Sequence, residues 1–320
     1  MLKAGKLDSE LLKKIVFENI TFRRDEVITR PGIGEDCAEV DFGEYICTMS
    51  TDPITASVSD IGRLSIHISC NDIASNGIQP IGIMLAVMLP EGTTEEDIEN
   101  IMKQAATAAE AMEVEIVGGH TEITPAVNKP VIVSTAIGRD VKNRERFDIQ
   151  ERDLIFMTKQ CGLEGTGIIA SDREEAVRKV LSEDEYVHAK AMLDRVSVVK
   201  EGVAAGKIGV CAMHDVTEGG ILGAVWEMCH VAGLGAEINE AAIPIDPVTE
   251  KVSSLFDIDP LRLISSGCMV IIARPEKKDA LMDVIDEISC IGVIKEKTYG
   301  VKMNGEEIKP PGSDEIYKAV

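Results

Sequence analysis

The 320-residue sequence predicts a mixed α/β (α+β) protein of two domains, and three observations carry that expectation. The length exceeds what one hydrophobic core usually organises, since domains run to about 100–200 residues. Extended apolar runs alternate with helical segments through both halves, the rhythm of sheets layered with helices. Between Asp140 and Asp153 the chain turns rich in charge and poor in apolar side chains, and a fresh apolar run opens at Leu154. That composition shift places the boundary there and divides the chain into 1–145 and 146–320.

In the first half, Ile46–Met49, Ile81–Leu89, Val114–Val117 and Val131–Ile137 read as strands. A helix starts at Thr93-Thr94-Glu95-Glu96, a capping box, and Ile98, Ile101, Met102, Ala105, Ala109 and Met112 follow on one face. Leu64–Cys70 alternates like a strand, yet Ile61, Leu64 and Ile68 also fit a helical stripe, and periodicity leaves both open. In the second half the strand Leu154–Met157 precedes a capped helix from Ser182 through Val203 and an apolar helix Ile221–Val231. A strand Cys268–Ala273 and a helix led by Pro275 and running to Ile288 complete it.

Charge narrows the function. Asp and Glu number 55 against 33 Lys and Arg, a net charge of −22, which repels nucleic acid and anionic membrane surfaces. An anionic ligand such as ATP is compatible only where a divalent cation and backbone N–H groups reverse the local field, so a metal site is expected. The eight cysteines form no CxxC pair and read as buried reduced thiols. Met1–Lys14 has no basic-then-apolar leader, and no apolar run nears the ~18 residues of a membrane span, which predicts a cytoplasmic protein.

Several segments could carry chemistry. In Pro31-Gly32-Ile33-Gly34-Glu35-Asp36, Gly32 and Gly34 would let backbone approach a phosphate while Asp36 faces a cation. Asp52 follows an apolar run, where α/β loops collect ligands. Asn71-Asp72 sits inside an apolar stretch and needs a partner if buried. Asp36, Asp52 and Asp72 suit Mg²⁺, which takes oxygen ligands from one or two carboxylates plus phosphates. The competing reading has each of these acids cap a helix or pair with Arg63, Arg23 or Arg24. Val117-Gly118-Gly119-His120-Thr121-Glu122 reads as a ligand-binding turn at a strand end. His214-Asp215 precedes the helix from Ile221, whose first N–H groups could hold an anion. Lys159 to Gly167 is a glycine-rich loop without the phosphate-loop pattern. His67 and His230 read as core histidines, and Trp226 as packing.

In this order, GIGEDCAEVD, STDPIT, NDIASNGIQP, GGHTEITPAV, LIFMTKQCGLEGT, MHDVTEGGI and LISSGCMVI resemble the AIR synthase (PurM-like) superfamily over nearly the whole chain. The similarity is greatest to its HypE-like, AIR synthase-related group. The resemblance implies a two-domain PurM-like fold: a ferredoxin-like N-terminal domain whose strands form a dimeric β-barrel, and a C-terminal α/β domain. It implies a homodimer that uses ATP and Mg²⁺ to phosphorylate a small-molecule or protein-borne acceptor, and a helix over Leu64–Gly77. It also implies Asp36, Asp52, Asp72 and Asp215 as metal ligands, with Asp52, Asp72 and His120 at the chemistry. Gly32, Gly34, Asn71, Gly118, Gly119, Thr121, Glu122 and Lys159 would contact nucleotide. An accessory protein that docks a partner in hydrogenase maturation is the alternative. Self-carried chemistry on a C-terminal cysteine does not transfer, because the last thiol is Cys290.

Overall fold

Along Tyr45–Ile54 alternate side chains are buried, and this period-two pattern sets the first sheet's two faces. The computed structural model describes residues 7, 9–55, 59–142 and 144–319. After a short helix α1 (Ser9–Ile15), six strands form that sheet: β1 (Val27–Thr29), β2 (Ala38–Asp41), β3 (Tyr45–Ile54), β4 (Pro80–Leu89), β5 (Glu115–Ile123) and β6 (Val131–Val141). Their order is β1-β2-β3-β6-β4-β5, antiparallel throughout except for the parallel pair β4–β5. Helices α2 (Ile61–Ser75) and α3 (Glu95–Ala111) cover one face. The other face carries Tyr45, Met84 and Val141, all exposed.

Helix α2 settles the ambiguous stretch as the family resemblance implies, and the strand-like alternation is overturned. The alternation misleads because α2 is buried on nearly every side, from Ile61 to Ala74, between the sheet and the second domain. Its polar residues are satisfied inside: Ser65 donates to the Gly62 carbonyl and Ser69 bonds Ser134. Helix α3 is capped one residue later than the sequence reading, by Thr94 with Asp97 reciprocating. Its stripe Ile101, Ala105, Ala109 and Met112 is buried as expected.

The second domain contains β7 (Leu154–Thr158), α4 (Leu163–Asp172), α5 (Glu174–Val177), α6 (Glu183–Ala191), α7 (Val199–Ile208), β8 (Ala212–Asp215), α8 (Gly220–Ala232) and β9 (Gly235–Ile238). It continues with α9 (Pro247–Phe256), β10 (Met269–Ala273), α10 (Lys278–Val284), β11 (Ile288–Lys295), β12 (Val301–Met303) and β13 (Glu306–Glu307). The sheet order is β13-β12-β9-β11-β7-β10-β8. Phe156, Met269 and Ile271 pack on one face with Ala205 of α7 and Leu281 of α10, while Ile155, Met157, Val270 and Ile272 join the larger core.

Two helices end earlier than expected. The helix from Ser182 stops at Ala191, and a 3₁₀ turn followed by residues 196–198, which belong to no helix or strand, separates it from α7. The break has a cause: the Asn71 amide pairs with that segment, donating to the Val196 carbonyl at 2.8 Å and accepting from Val198 N–H at 2.9 Å. The Pro275 segment is a 3₁₀ turn followed by α10, and Ile288 already belongs to β11. His230 is exposed and stacks on Trp226 at 4.7 Å, so it is not a core histidine. His67 is buried, and burial, reinforced by Arg63 and Lys159, lowers its pKa to about 4.

The domains meet where α2 crosses α7. A Cβ on Gly202 would overlap the Ala74 carbonyl, and one on Gly206 would overlap Gly77. Glycine therefore sets how closely the helices approach, and with it the distance between acids carried by the two domains.

Candidate metal centre

Four aspartates from four segments converge. Asp52 lies on the helix-covered face of β3, because it shares the parity of buried Ser50 and Ile54. Asp72 lies on α2 facing it, and the Ser50 hydroxyl bridges them, donating to Asp72 Oδ2 and lying 3.4 Å from Asp52 Oδ2. Asp215 ends β8 and is almost fully buried, with its N–H donated to Ser75 Oγ of α2 at 3.1 Å. Asp36 arrives on the loop after Gly34, whose φ of 78° suits glycine and where a Cβ would overlap Val231 of α8.

Asp72 feels the charge of the other three acids. Burial first, and then the charges of Asp215, Asp52 and Asp36, push the Asp72 carboxyl well above the usual carboxylate range. Burial likewise raises the Cys37 thiol, with Asp72, Asp36 and Asp215 adding to it. His214 supplies a positive charge: its Nε2 is 3.8 Å from Asp36 and 3.6 Å from Glu227. Burial alone would lower this imidazole, but Glu227, Asp36 and Asp215 outweigh it and hold its pKa up at about 9. Ligand atoms of Asp36, His214 and Asp215 lie within 4.8 Å of one another.

The arginine reading of these acids fails. Arg63 pairs with Asp60 and Asp194, Arg24 with Glu26, and Arg23 donates to the Phe22 carbonyl. Among the described residues, no lysine or arginine forms an ion pair with Asp36, Asp52 or Asp72. Buried Asp72 and Asp215, half-buried Asp52 and exposed Asp36, with the His214 imidazole beside them, suit a hard divalent cation.

A cleft of about 620 Å³ between the domains opens onto Asp36 and His214. Asn76, Arg146, Phe147, Met213 and Glu227 are among its walls. Arg146 is engaged by Glu39, and Arg144 by the Asn76 and Gly77 carbonyls.

Other expected residues lie elsewhere. Gly118 to Glu122 are strand, not turn: Gly118 and Gly119 have φ of 153° and 151°, and a Cβ on Gly119 would overlap the Leu85 carbonyl. Asp52, Ser134, Leu85 and Gly119 share one register row, so Gly119 sits three strands from Asp52. At strand spacing that is roughly 14 Å. His120 is exposed on the edge strand β5, 3.4 Å from Glu122. Thr121 is exposed there too. Gly32 precedes Gly34 in the loop that delivers Asp36. The Lys159 ammonium donates to the Ser197 and Gly267 carbonyls at 2.8 and 3.1 Å and pairs with Glu201, which occupies it structurally. Asn71 is spent on the domain interface described above. The expected glycine-rich loop ends at Gly162, and Gly165 and Gly167 belong to α4, where they make room for Leu263 and Leu193.

The start of α8 holds an anion from the chain itself. Asp314 accepts from Gly219 N–H at 2.8 Å, Ile316 N–H at 2.8 Å and Ile264 N–H at 3.3 Å. Sequence reasoning missed this carboxylate, as it missed Ser50, Ser75, His214 and Glu227. Only the adjacency of His214 to Asp215 offered a signal.

The comparisons agree with this architecture. Residues 34–139 match the family described as AIR synthase related protein, N-terminal domain, and 150–303 match its C-terminal domain. The chain belongs to the AIR synthase-related (PurM-like) family. A putative hydrogenase expression/formation protein of Methanocaldococcus jannaschii is 27% identical over 294 residues, covering 88% of this chain and 84% of that one. In fold, the chain is similar to hydrogenase maturation protein HypE in complex with ATP, with TM-score 0.71, 20% identity, and 99% and 98% of the two chains covered. It is similar in the same way to AaThiL complexed with AMPPCP and TMP, with TM-score 0.76, 18% identity, and 95% and 94% covered. No helix among the described residues is long and apolar enough to cross a membrane.

Proposed function

We propose that this chain is an ATP- and Mg²⁺-dependent phosphoryl-transferring enzyme, a synthase or kinase, acting on a small-molecule or protein-borne acceptor. The observation that carries the reading is the convergence of Asp36, Asp52, Asp72 and Asp215 from both domains, where no lysine or arginine among the described residues is ion-paired to Asp36, Asp52 or Asp72. Asp52 and Asp72, bridged by Ser50, and Asp215 and Asp36 beside them, would hold the cation. When bound there, Mg²⁺ supplies charge neutralisation at the phosphates, the main contribution in phosphoryl transfer. The matched relatives named for ATP and AMPPCP complexes support nucleotide as the ligand.

The cleft between the domains is the acceptor's place in this reading, because Asp36 and His214 line it. Gly118, Gly119, His120, Thr121 and Glu122 would serve the site of a second copy. Their separation from Asp52 within one chain and the exposed apolar Met84, Val117 and Tyr45 support a homodimer built on this sheet.

Calorimetry tests the reading. Asp52→Asn is expected to abolish Mg-ATP binding with the circular dichroism of the fold intact. Undiminished binding contradicts it, and partner capture with no ATP turnover across metabolite pools would favour the docking alternative.

A further inference from the structure

We infer that Ser50 and Ser75 are the positioning residues of the acidic centre, holding carboxylates of three elements in one arrangement before any cation arrives. The inference rests on the metal-nucleotide reading above and deepens it. Like charges that share a site repel, and the side chains relieve the repulsion by rotating apart unless something holds them. Nothing cationic bridges Asp52 to Asp72 among the described residues, so the holding falls to hydrogen bonds.

Ser50 precedes Asp52 by two residues on β3 and so shares its face of the sheet. Its side chain is buried between strand and helix, and its single proton goes to Asp72 Oδ2 while its oxygen stays 3.4 Å from Asp52 Oδ2. The hydroxyl thus ties α2 to β3 at the point where the two charges meet. Ser75 does the same across the domain boundary. It lies one turn after Asn71 on α2, donates to the Asn71 carbonyl at 3.0 Å, and accepts the Asp215 N–H at 3.1 Å. Its oxygen is also 3.5 Å from Asp215 Oδ1. Fixing that N–H fixes where the second domain's carboxylate begins. Asn71 docks α2 onto Val196 and Val198, and the glycine contacts at Gly202 and Gly206 hold the spacing. Helix α2 therefore presents Asp72 to β3 through one serine and receives Asp215 through another.

Residues that orient metal ligands typically cost about 10–100-fold in metal affinity when removed. The test uses the full chain, Mg²⁺ and a non-hydrolysable ATP analogue, followed by calorimetry. Ser50→Ala and Ser75→Ala are each expected to raise the Mg²⁺ concentration needed for half-saturation by at least about tenfold. Nucleotide affinity at saturating Mg²⁺ should stay within about twofold, and Ser50→Thr and Ser75→Thr should restore the Mg²⁺ requirement. If the alanine variants fail to fold, Ser50→Cys and Ser75→Cys repeat the test, since they keep the volume and weaken the hydrogen bond. Wild-type Mg²⁺ affinity in the variants overturns the inference while leaving the functional reading standing. Equal losses of Mg²⁺ and nucleotide affinity also overturn it, because they mark a general structural defect. A wild-type chain that binds the analogue without any Mg²⁺ dependence overturns both.

Discussion

Replacing Asp72 by asparagine should make the metal-free protein more stable and deprive it of its cation. Asp72 is 6% exposed, and its carboxyl is raised by burial and by three neighbouring acids, so ionising it in the fold is unfavourable. Carboxylates in one site act across about 4–6 Å. At an effective dielectric of about 20, each such pair costs about 3 kcal/mol. The protonated His214 returns part of this, and the asparagine amide oxygen of the variant still accepts the Ser50 proton. A net gain of about 1–3 kcal/mol follows, a rise in Tm of roughly 2–10 °C for a chain whose domains are of this size. Differential scanning calorimetry with EDTA, then with Mg-ATP, reads both effects. Mg-ATP should raise the wild-type Tm and leave that of Asp72→Asn unmoved. A variant that melts lower than wild type without metal, or that still gains from Mg-ATP, refutes the reasoning.

Three further outcomes are expected. Gly119→Ala drives a methyl into the Leu85 carbonyl and should lose about 1–3 kcal/mol, seen as a lower midpoint in urea. Lys159→Met strips Glu201 of its partner and two carbonyls of their donor. It should cost about 3 kcal/mol in urea while Mg-ATP affinity by calorimetry is unchanged, which separates a structural lysine from a phosphate-binding one. Burial raises buried Glu164 from 4.5 to about 7, with nearby Ser266 opposing the rise. Its folded pKa lies above the unfolded one, so the stability it contributes is complete below about pH 4.5 and lost as pH rises through 7. The loss is about 3 kcal/mol. Glu164→Gln should flatten the urea midpoint between about pH 5 and 8, and an unchanged slope counts against this assignment.

What could be seen from sequence followed from how local each signal was. Asp36, Asp52 and Asp72 stood out as candidates because each stands beside glycines, a strand end or an amide where an acid has few structural uses, whereas Asp215 joined them only through the family resemblance. Helix α2 was not, because a helix buried on both sides loses the one-sided stripe that periodicity detects. The paired glycines at 118 and 119 looked like a turn, yet they serve an extended strand that passes close to Leu85. Lys159 looked like a phosphate ligand because its partners, Ser197, Glu201 and Gly267, become its neighbours only on folding. The carboxylate of Asp314 at Gly219 was out of reach for the same reason, with donor and acceptor 95 positions apart.

The account stands on a cation seated among acids drawn from two domains. Crystals soaked with Mn²⁺ and an ATP analogue, measured for anomalous scattering, address this directly. The account predicts a peak touching Asp72 and Asp215 as well as the analogue's phosphates. An analogue bound with no anomalous peak among Asp36, Asp52, Asp72 and Asp215 would contradict it.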